Sequence, residues 1–527
     1  MPCRREWIGL TAFAGCLVAA AQEPVPPGAD ERLPLSNLAP ARLVPNLCVL
    51  KYRISTSSSE CQAFFDQGLG YYYSYVWMEA ARSFETATRY DPECAMAWWG
   101  LSRALESWNK SNSRKPLEKA QELLPRASHR EQLLILARLQ EKGLIPGIAP
   151  ENRKKRATQT IDELLSLYPD DEEAWFARAK LADSAVGAVP FYHALLRVNP
   201  LHPGAHHELV HFYENSQRPA LGWVHAEKYM ESSPGLPHAF HMQAHLAMRL
   251  GRWEKTTDRS AYAIELERAY HKEMNVRPSE DWQYYHHLET LLLALIHDGR
   301  YREARALRTE VPPNNQRFDK LWIRLHLAER DWAEAQPLID RLRRTDKVEA
   351  SYYAALLHLK KGEAERAAAE VEVLREAQQK KKSDSALQLK LWETQGLLLC
   401  QTGNAEVGTR LLFRAVEKTK DDYRHHAWGN GAYYMEAWGT GALHGHLLTV
   451  AEEAFLEALA HDRGSVRGAL GMQVVCERQG RIEEAQRFAD LARRCWRRAD
   501  PGQLERELAC LRGERLATET SLSAPLR

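Results

Sequence analysis

Histidines at helical spacing are the residues in this chain best suited to chemistry. His207 and His211 with Glu214 make one set, and His238, His241 and His245 make a second, each built on steps of three and four residues. An α-helix turns once in 3.6 residues, so such steps align side chains on one face. Imidazole nitrogen combined with carboxylate oxygen suits zinc, copper, iron or nickel, and two rigid helices would hold the donors in place. Thirteen of the 21 histidines lie between His193 and His297, which a uniform scatter does not explain. A single histidine is usually structural; here the shared periodicity carries the metal reading.

The segment His207-Glu208-Leu209-Val210-His211 also satisfies HExxH, in which two helical histidines hold zinc and the glutamate activates water. A hydrolase built on it would use Glu208 or Glu214 as base. Its third ligand would come from Glu227, Glu231, Glu214 or the second histidine set, since no metzincin continuation follows. There is no Gly-rich phosphate loop and no Gly-x-Ser-x-Gly signature.

The elements that must position these residues are helical repeats. Phe64, Gly68, Tyr71, Ala80, Phe84, Ala87 and Pro92 follow the 34-residue tetratricopeptide pattern, in which small residues let two antiparallel helices approach and large ones fill the gaps. Proline then ends the second helix. Trp98 and Leu101 open another unit, Tyr168-Pro169 and Asn199-Pro200 close two more, and turns at Gly251, Gly299, Asp331, Gly362, Gly403 and Gly480 mark further hairpins. The spacing predicts an all-α tetratricopeptide-type superhelix. Irregular stretches are expected at Asn109–Arg126, Val311–Arg317 and Arg424–Trp438, with a bend near 310 that divides the array into 48–310 and 311–500 and leaves a tail at 501–527. In this register His207, His211, His241 and His245 take the fifth and ninth positions of neighbouring first helices, His238 the second and Glu214 the twelfth. Those positions line the concave face, and adjacent helices pack at about 8–10 Å, so both sets can reach one ion. The tyrosines Tyr71, Tyr72, Tyr73 and Tyr75 with Trp77, and the pair Trp98 and Trp99, read as inter-repeat core.

Several segments together resemble a family of exported bacterial tetratricopeptide proteins of poorly defined function. They are Asp91 to Gly100, Ala127-Ser128-His129-Arg130-Glu131, Tyr168-Pro169-Asp170-Asp171, the two histidine sets, Tyr284-Tyr285-His286-His287, and Trp496-Arg497-Arg498-Ala499-Asp500. In that family the first histidine segment reads His-aromatic-x-x-His-x-x-Glu, which falls on His207, His211 and Glu214. The second reads Gly-His-x-x-His-Met-Pro-x-His, which falls on His238, His241 and His245. This chain departs from the pattern at Pro237, Gln243, Glu208, Tyr73, Leu288 and Thr290. Those departures weaken the case for a contribution from Tyr73 or from the helix near His287.

Hydrophobic residues at 44% and charged residues at 27% of 527 describe a globular protein, and a formal charge of +1 gives no electrostatic reason to expect nucleic acid or an anionic membrane. Arg4 and Arg5 before the apolar run Ile8–Ala21 read as a signal peptide over 1–21, so the chain is expected to be exported. Phe13-Ala14-Gly15-Cys16 loosely resembles a lipoprotein signal, a minority alternative. The Pro-rich residues 22–47 read as an extended linker. No later stretch is apolar for some 18 residues, so no transmembrane segment is expected. Of the seven cysteines beyond residue 21, Cys48 with Cys61 or Cys476 with Cys495 could pair, while most read as small buried apolar residues. The leading function is a scaffold that holds a protein, peptide or small ligand on its concave face, through a divalent transition metal (zinc or copper) at the histidine sets. The alternatives are a zinc-dependent hydrolase and a metal-stapled or metal-sequestering repeat protein.

Overall fold

The computed structural model describes residues 32–313, 315–421 and 430–514. The expected signal peptide, Cys16, the first part of the linker and the end of the tail lie outside the described residues. Within them are 25 α-helices and no strand. The first 24 helices form twelve consecutive hairpins, from Ser59–Tyr73 with Trp77–Tyr90 to Val466–Arg478 with Ile482–Cys495, and Gln503–Arg512 stands alone at the end. This is the expected α-α solenoid.

The repeat pattern works as close packing. Phe84 is wedged between Gly68 and Gly100, where an added Cβ would lie 2.7 Å from its ring, and Phe455 fills the same role between Gly439 and Gly471. Tryptophans lock two of the units to the turn before them: the Trp98 indole donates to the Pro92 carbonyl at 2.9 Å, and Trp175 to Pro169 at 2.8 Å. Polar caps start the helices, as where the Asp171 carboxylate accepts from the Ala174 amide and Ser128 forms a full capping box with Glu131.

Three expectations change. Residues 32–47 are not a free linker: Leu33, Ala41 and Leu47 are buried, and the strap's amides are met by side chains of the first hairpin. Leu35 and Ser36 donate to Glu85, Ala41 to Thr86 and Val44 to Gln67. Glutamate and glutamine buried in a helix pair thus find their partners in the strap. Second, one buried cluster runs past 310, from Ile264 to Leu511 through Leu307, Val311 and Phe318. The other large cluster runs from Ala41 to Leu236, and a smaller one is built around Val210, Tyr229 and Met242. Third, the expected irregular stretch 109–126 contains the helix Arg114–Glu122, and the expected tail contains Gln503–Arg512.

The solenoid closes on itself twice. In the first closure the end of the Ser59–Tyr73 helix meets hairpins far along the chain. Tyr229 donates to the Ser74 hydroxyl at 2.7 Å, Gln283 to the Ser74 carbonyl at 3.1 Å, and the strap pairs with the 232–235 turn through Val49 and Leu47. In the second, the last hairpin returns to the turns at 251 and 299. Trp253 donates to the Asp462 carboxylate at 2.9 Å and stacks on His297 at 3.8 Å; Trp496 donates to the His297 carbonyl at 2.7 Å. Arg498 bonds Asp258 and Asp298, and the Asp500 amide donates to Gly299. Gly251 and Gly464 are so close there that a Cβ on the latter would sit 2.2 Å from a backbone oxygen. The terminal Trp496–Asp500 segment is therefore a closure device.

Candidate metal centre

Three first helices bring the histidines together: Pro203–Glu214, Pro237–Arg249 and Trp282–His297. The first is seated by its cap, since Pro203 opens the helix and the His202 ring nitrogen accepts from the Ala205 amide. Gly204 lets it approach the first helix, because a Cβ there would lie 2.4 Å from the Tyr73 ring. That approach places His207 Nδ1 2.6 Å from the Tyr73 carbonyl. A carbonyl only accepts, so Nδ1 carries the hydrogen and Nε2 presents its lone pair inward.

The six expected residues all reach this seam, but in a different grouping. His207, His211 and His238 have ligand nitrogens within 4.8 Å of one another, and so do His241, His245 and His286. Each triad therefore spans two hairpins. His207 and His238 face each other Nε2 to Nε2 at 3.0 Å, and His241 and His245 do so at 2.8 Å. Two imidazoles on one tetrahedral zinc at about 2.05 Å would stand about 3.3 Å apart, so an ion fits with small outward shifts. The buried Nε2 of His211 and Nδ1 of His241 have no hydrogen-bond partner among the described residues. Glu214 lies between the triads, with Oε2 2.8 Å from His245 Nδ1 and Oε1 3.8 Å from His211 Nδ1. Burial pushes its carboxyl up, but His245 and His211 outweigh that and hold it far below the usual range. Burial, reinforced by the neighbouring rings, keeps His207, His238 and His241 well below the ordinary histidine value and so neutral, the form that ligates.

Four residues join the site that spacing did not assign to it. Tyr75 covers the first triad, its ring 4.4 Å from His207 and 5.8 Å from His211, at a left-handed φ of 59° that a bulky side chain rarely adopts. His286 completes the second triad, although departures from the family pattern had weakened its helix as a candidate. The His287 ring lies tilted against His241 at 3.9 Å and 2.8 Å from Glu267, whose carboxyl burial and Asp281 push well above the usual range. The Tyr284–His287 segment was the available signal for His286 and His287. Tyr73 itself is core, its hydroxyl bonded to Glu173.

Other expectations resolve differently. Glu227 and Glu231 are exposed on the outer Trp223–Ser232 helix, bonded to Trp223 and Lys228, so His238 is the third residue beside the HExxH pair. Glu208 accepts from the Tyr75 hydroxyl at 3.0 Å and from Lys180 at 3.1 Å. His206 is a packing residue: it donates to the Pro200 carbonyl and pairs with His225 at 3.1 Å. All seven described cysteines are free, and Cys61 lies against Cys94 rather than Cys48. A further group, His326 with Glu329 and Asp331, is already served by cations, since Arg308 reaches His326 and Arg305 reaches Glu329.

Residues 65–107 and 321–381 match the family model of the tetratricopeptide repeat. The chain carries tetratricopeptide repeats. One matched segment lies in each closure, so both halves are built from the same unit, and repeats of this kind generally mediate contact between proteins. Among curated proteins none matches the chain. Similar solved structures include the TPR domain of P58(IPK), 11% identical, covering 82% of this chain and 99% of that one with a TM-score of 0.22. Another is the human IFIT1 dimer with m7Gppp-AAAA, 13% identical, covering 83% and 90% with a TM-score of 0.28. No described helix is long and apolar enough to cross a membrane.

Proposed function

We propose that this tetratricopeptide protein is a protein-binding scaffold whose histidine seam holds two divalent transition-metal ions, zinc or copper, one at each triad. The observation that carries this reading is the convergence of three ring nitrogens within 4.8 Å, twice, from residues on different hairpins. His207, His211 and His238 hold one ion, and His241, His245 and His286 the other, with Glu214 orienting His245 and His211 from between them. In the metal-free protein a hydrogen sits between the facing Nε2 atoms of each pair, so loading requires one ring of each pair to carry its hydrogen on Nδ1 instead. His211 and His286 are the partly exposed members, with side chains 32% and 21% accessible, so each ion keeps one side open to a partner's donor group. The ions also tie three successive hairpins together, which makes a staple and a docking point compatible. Export, expected from residues 1–21, belongs to the same reading.

Metal analysis of the purified full chain after reconstitution with zinc or copper tests it. Two ions per chain are expected, falling to one in His238→Ala or in His286→Ala and to none in the double variant. Absence of stoichiometric metal under both conditions would overturn the proposal. A second reading, zinc-dependent hydrolysis, draws on His238 completing the HExxH pair beside Glu208. It requires Glu208→Gln to keep the metal and lose a peptidase activity, and unchanged activity removes it.

A further inference from the structure

The second closure borders a half-open cavity of about 1340 Å³ whose lining includes none of the six residues of the two triads. Six first helices line it, from the end of Trp282–His297 to Val466–Arg478, and the terminal helix Gln503–Arg512 lies beside it, held by Arg467 on Glu507 at 2.6 Å and Arg506 on the Glu329 carbonyl at 3.3 Å.

Several charged groups of this chamber are bonded to one another. Glu507 answers Arg467, Glu349 binds Lys320 and Lys390, and Glu393, pushed up to about 7 by burial, accepts from the Tyr352 hydroxyl at 2.9 Å. Lys360 and Arg330 have no carboxylate within ion-pair distance among the described residues. Lys360 is exposed at this half-open cavity, and surrounding protein and then Arg330 hold its ammonium down to about 8. Two cations near each other, with no carboxylate bonded to either and Glu507, already paired with Arg467, acting on both from farther off, are costly where protein limits their hydration unless an anion joins them.

The backbone at Arg330 points the same way. The turns after the first helices at 251, 299, 362, 403 and 480 carry glycine in the left-handed region, whereas Arg330 takes that conformation with φ 63°. A long side chain held where glycine is normal is strain that a functional contact can account for. His444, whose Nδ1 is buried without a partner among the described residues, lies at the same end and feels Lys360 and Arg330. Beyond that end the walls turn apolar and aromatic, with Leu356, Leu389, Tyr352 and Tyr433.

We infer that this chamber binds a small amphipathic organic anion, one acidic head between Lys360 and Arg330 and an apolar body along Tyr352, Tyr433, Leu356 and Leu389. The volume exceeds the roughly 300–1,000 Å³ of ordinary small-molecule sites, so the ligand shares the space with water. This inference stands apart from the metal reading.

The test uses the full chain and a fluorescent dansylated undecanoate, with decanoate, decanol and decyltrimethylammonium as competitors. Saturable binding of one probe per chain is expected, displaced by decanoate and at least tenfold less effectively by decanol or the cation. Lys360→Met and Arg330→Gly, the latter keeping the left-handed turn, should each weaken decanoate at least tenfold while metal content and melting stay unchanged. Absence of saturable binding, equal displacement by decanol, or undiminished decanoate affinity in both variants would overturn it.

Discussion

The two closures are made from the same helical hairpin and end in opposite interiors. In the first, the inner helices meet through closely packed imidazoles, with the His207 and His238 nitrogens 3.0 Å apart. In the second, the inner helices stand back around a hollow of about 1340 Å³, and their charged groups face solvent or one another across it. The difference follows from what stands on the inner face. Small Gly204 and flat histidines let the Pro203–Glu214 helix come down onto Tyr73, whereas paired tyrosines, arginines and glutamates in the later repeats hold the ring open. Crowded neutral donors invite an ion; spaced cations invite an anion.

The comparison can be broken most severely at the second seam. Trp253→Ala removes a buried indole that donates to Asp462 and stacks on His297, and a loss of about 3–5 kcal/mol is expected from chemical denaturation of the full chain. If the ring stayed closed, with unchanged hydrogen exchange over 462–500, that indole would not be the latch. Crowding is tested by adding one methyl group. Gly204→Ala should cost about 1–3 kcal/mol and lower the metal content of the first triad, because His207 must retreat. Ala386→Leu, which projects into the chamber, should stay within about 0.5 kcal/mol. Equal costs would erase the contrast between filled and hollow.

Acidity sharpens the same contrast. Burial and then Glu436 push the Asp462 carboxyl up to about 7, against 3.8 for an unperturbed aspartate. The folded seam therefore keeps a proton that the unfolded chain releases between those values. Its stabilisation is complete below about pH 4 and fades as pH rises through 7. Asp462→Asn should flatten that decline, seen as a smaller difference in melting temperature between pH 4.5 and 7.5 than in the parent protein. The smallest effect is expected at Tyr75→Phe, which loses only the hydroxyl bond to Glu208. Metal affinity should change by about 0.5–1.5 kcal/mol, read by competition with a chelator.

Much of this was legible in the residues. Phe84 between two glycines, the tryptophans after proline turns and the hairpin glycines are local signals, and local contacts are what periodicity records. The histidine sets were legible for the same reason, each lying on one helix. Their regrouping was not, because His238 turns from its own set towards His207 and His286 takes its place. Which neighbour a ring faces depends on the rotation of one helix against another. Tyr75 and the Tyr73 carbonyl come from more than a hundred residues away, and no spacing rule reaches across a closure. The strap read as a linker because proline and the lack of periodicity say only that it is not a helix. Its partners, Glu85, Thr86 and Gln67, are visible as unusual only once they are known to be buried.

The strap also imposes an order on synthesis. Its amides at Leu35, Ser36 and Ala41 can dock as soon as the first hairpin exists, but Leu47 and Val49 pair with Gly235 and Ser232. A chain leaving the ribosome must therefore hold its leading end half-fastened until the fifth hairpin has emerged. The imidazole cage, which needs His286, assembles later still, so metal loading would report on chains that have completed this sequence.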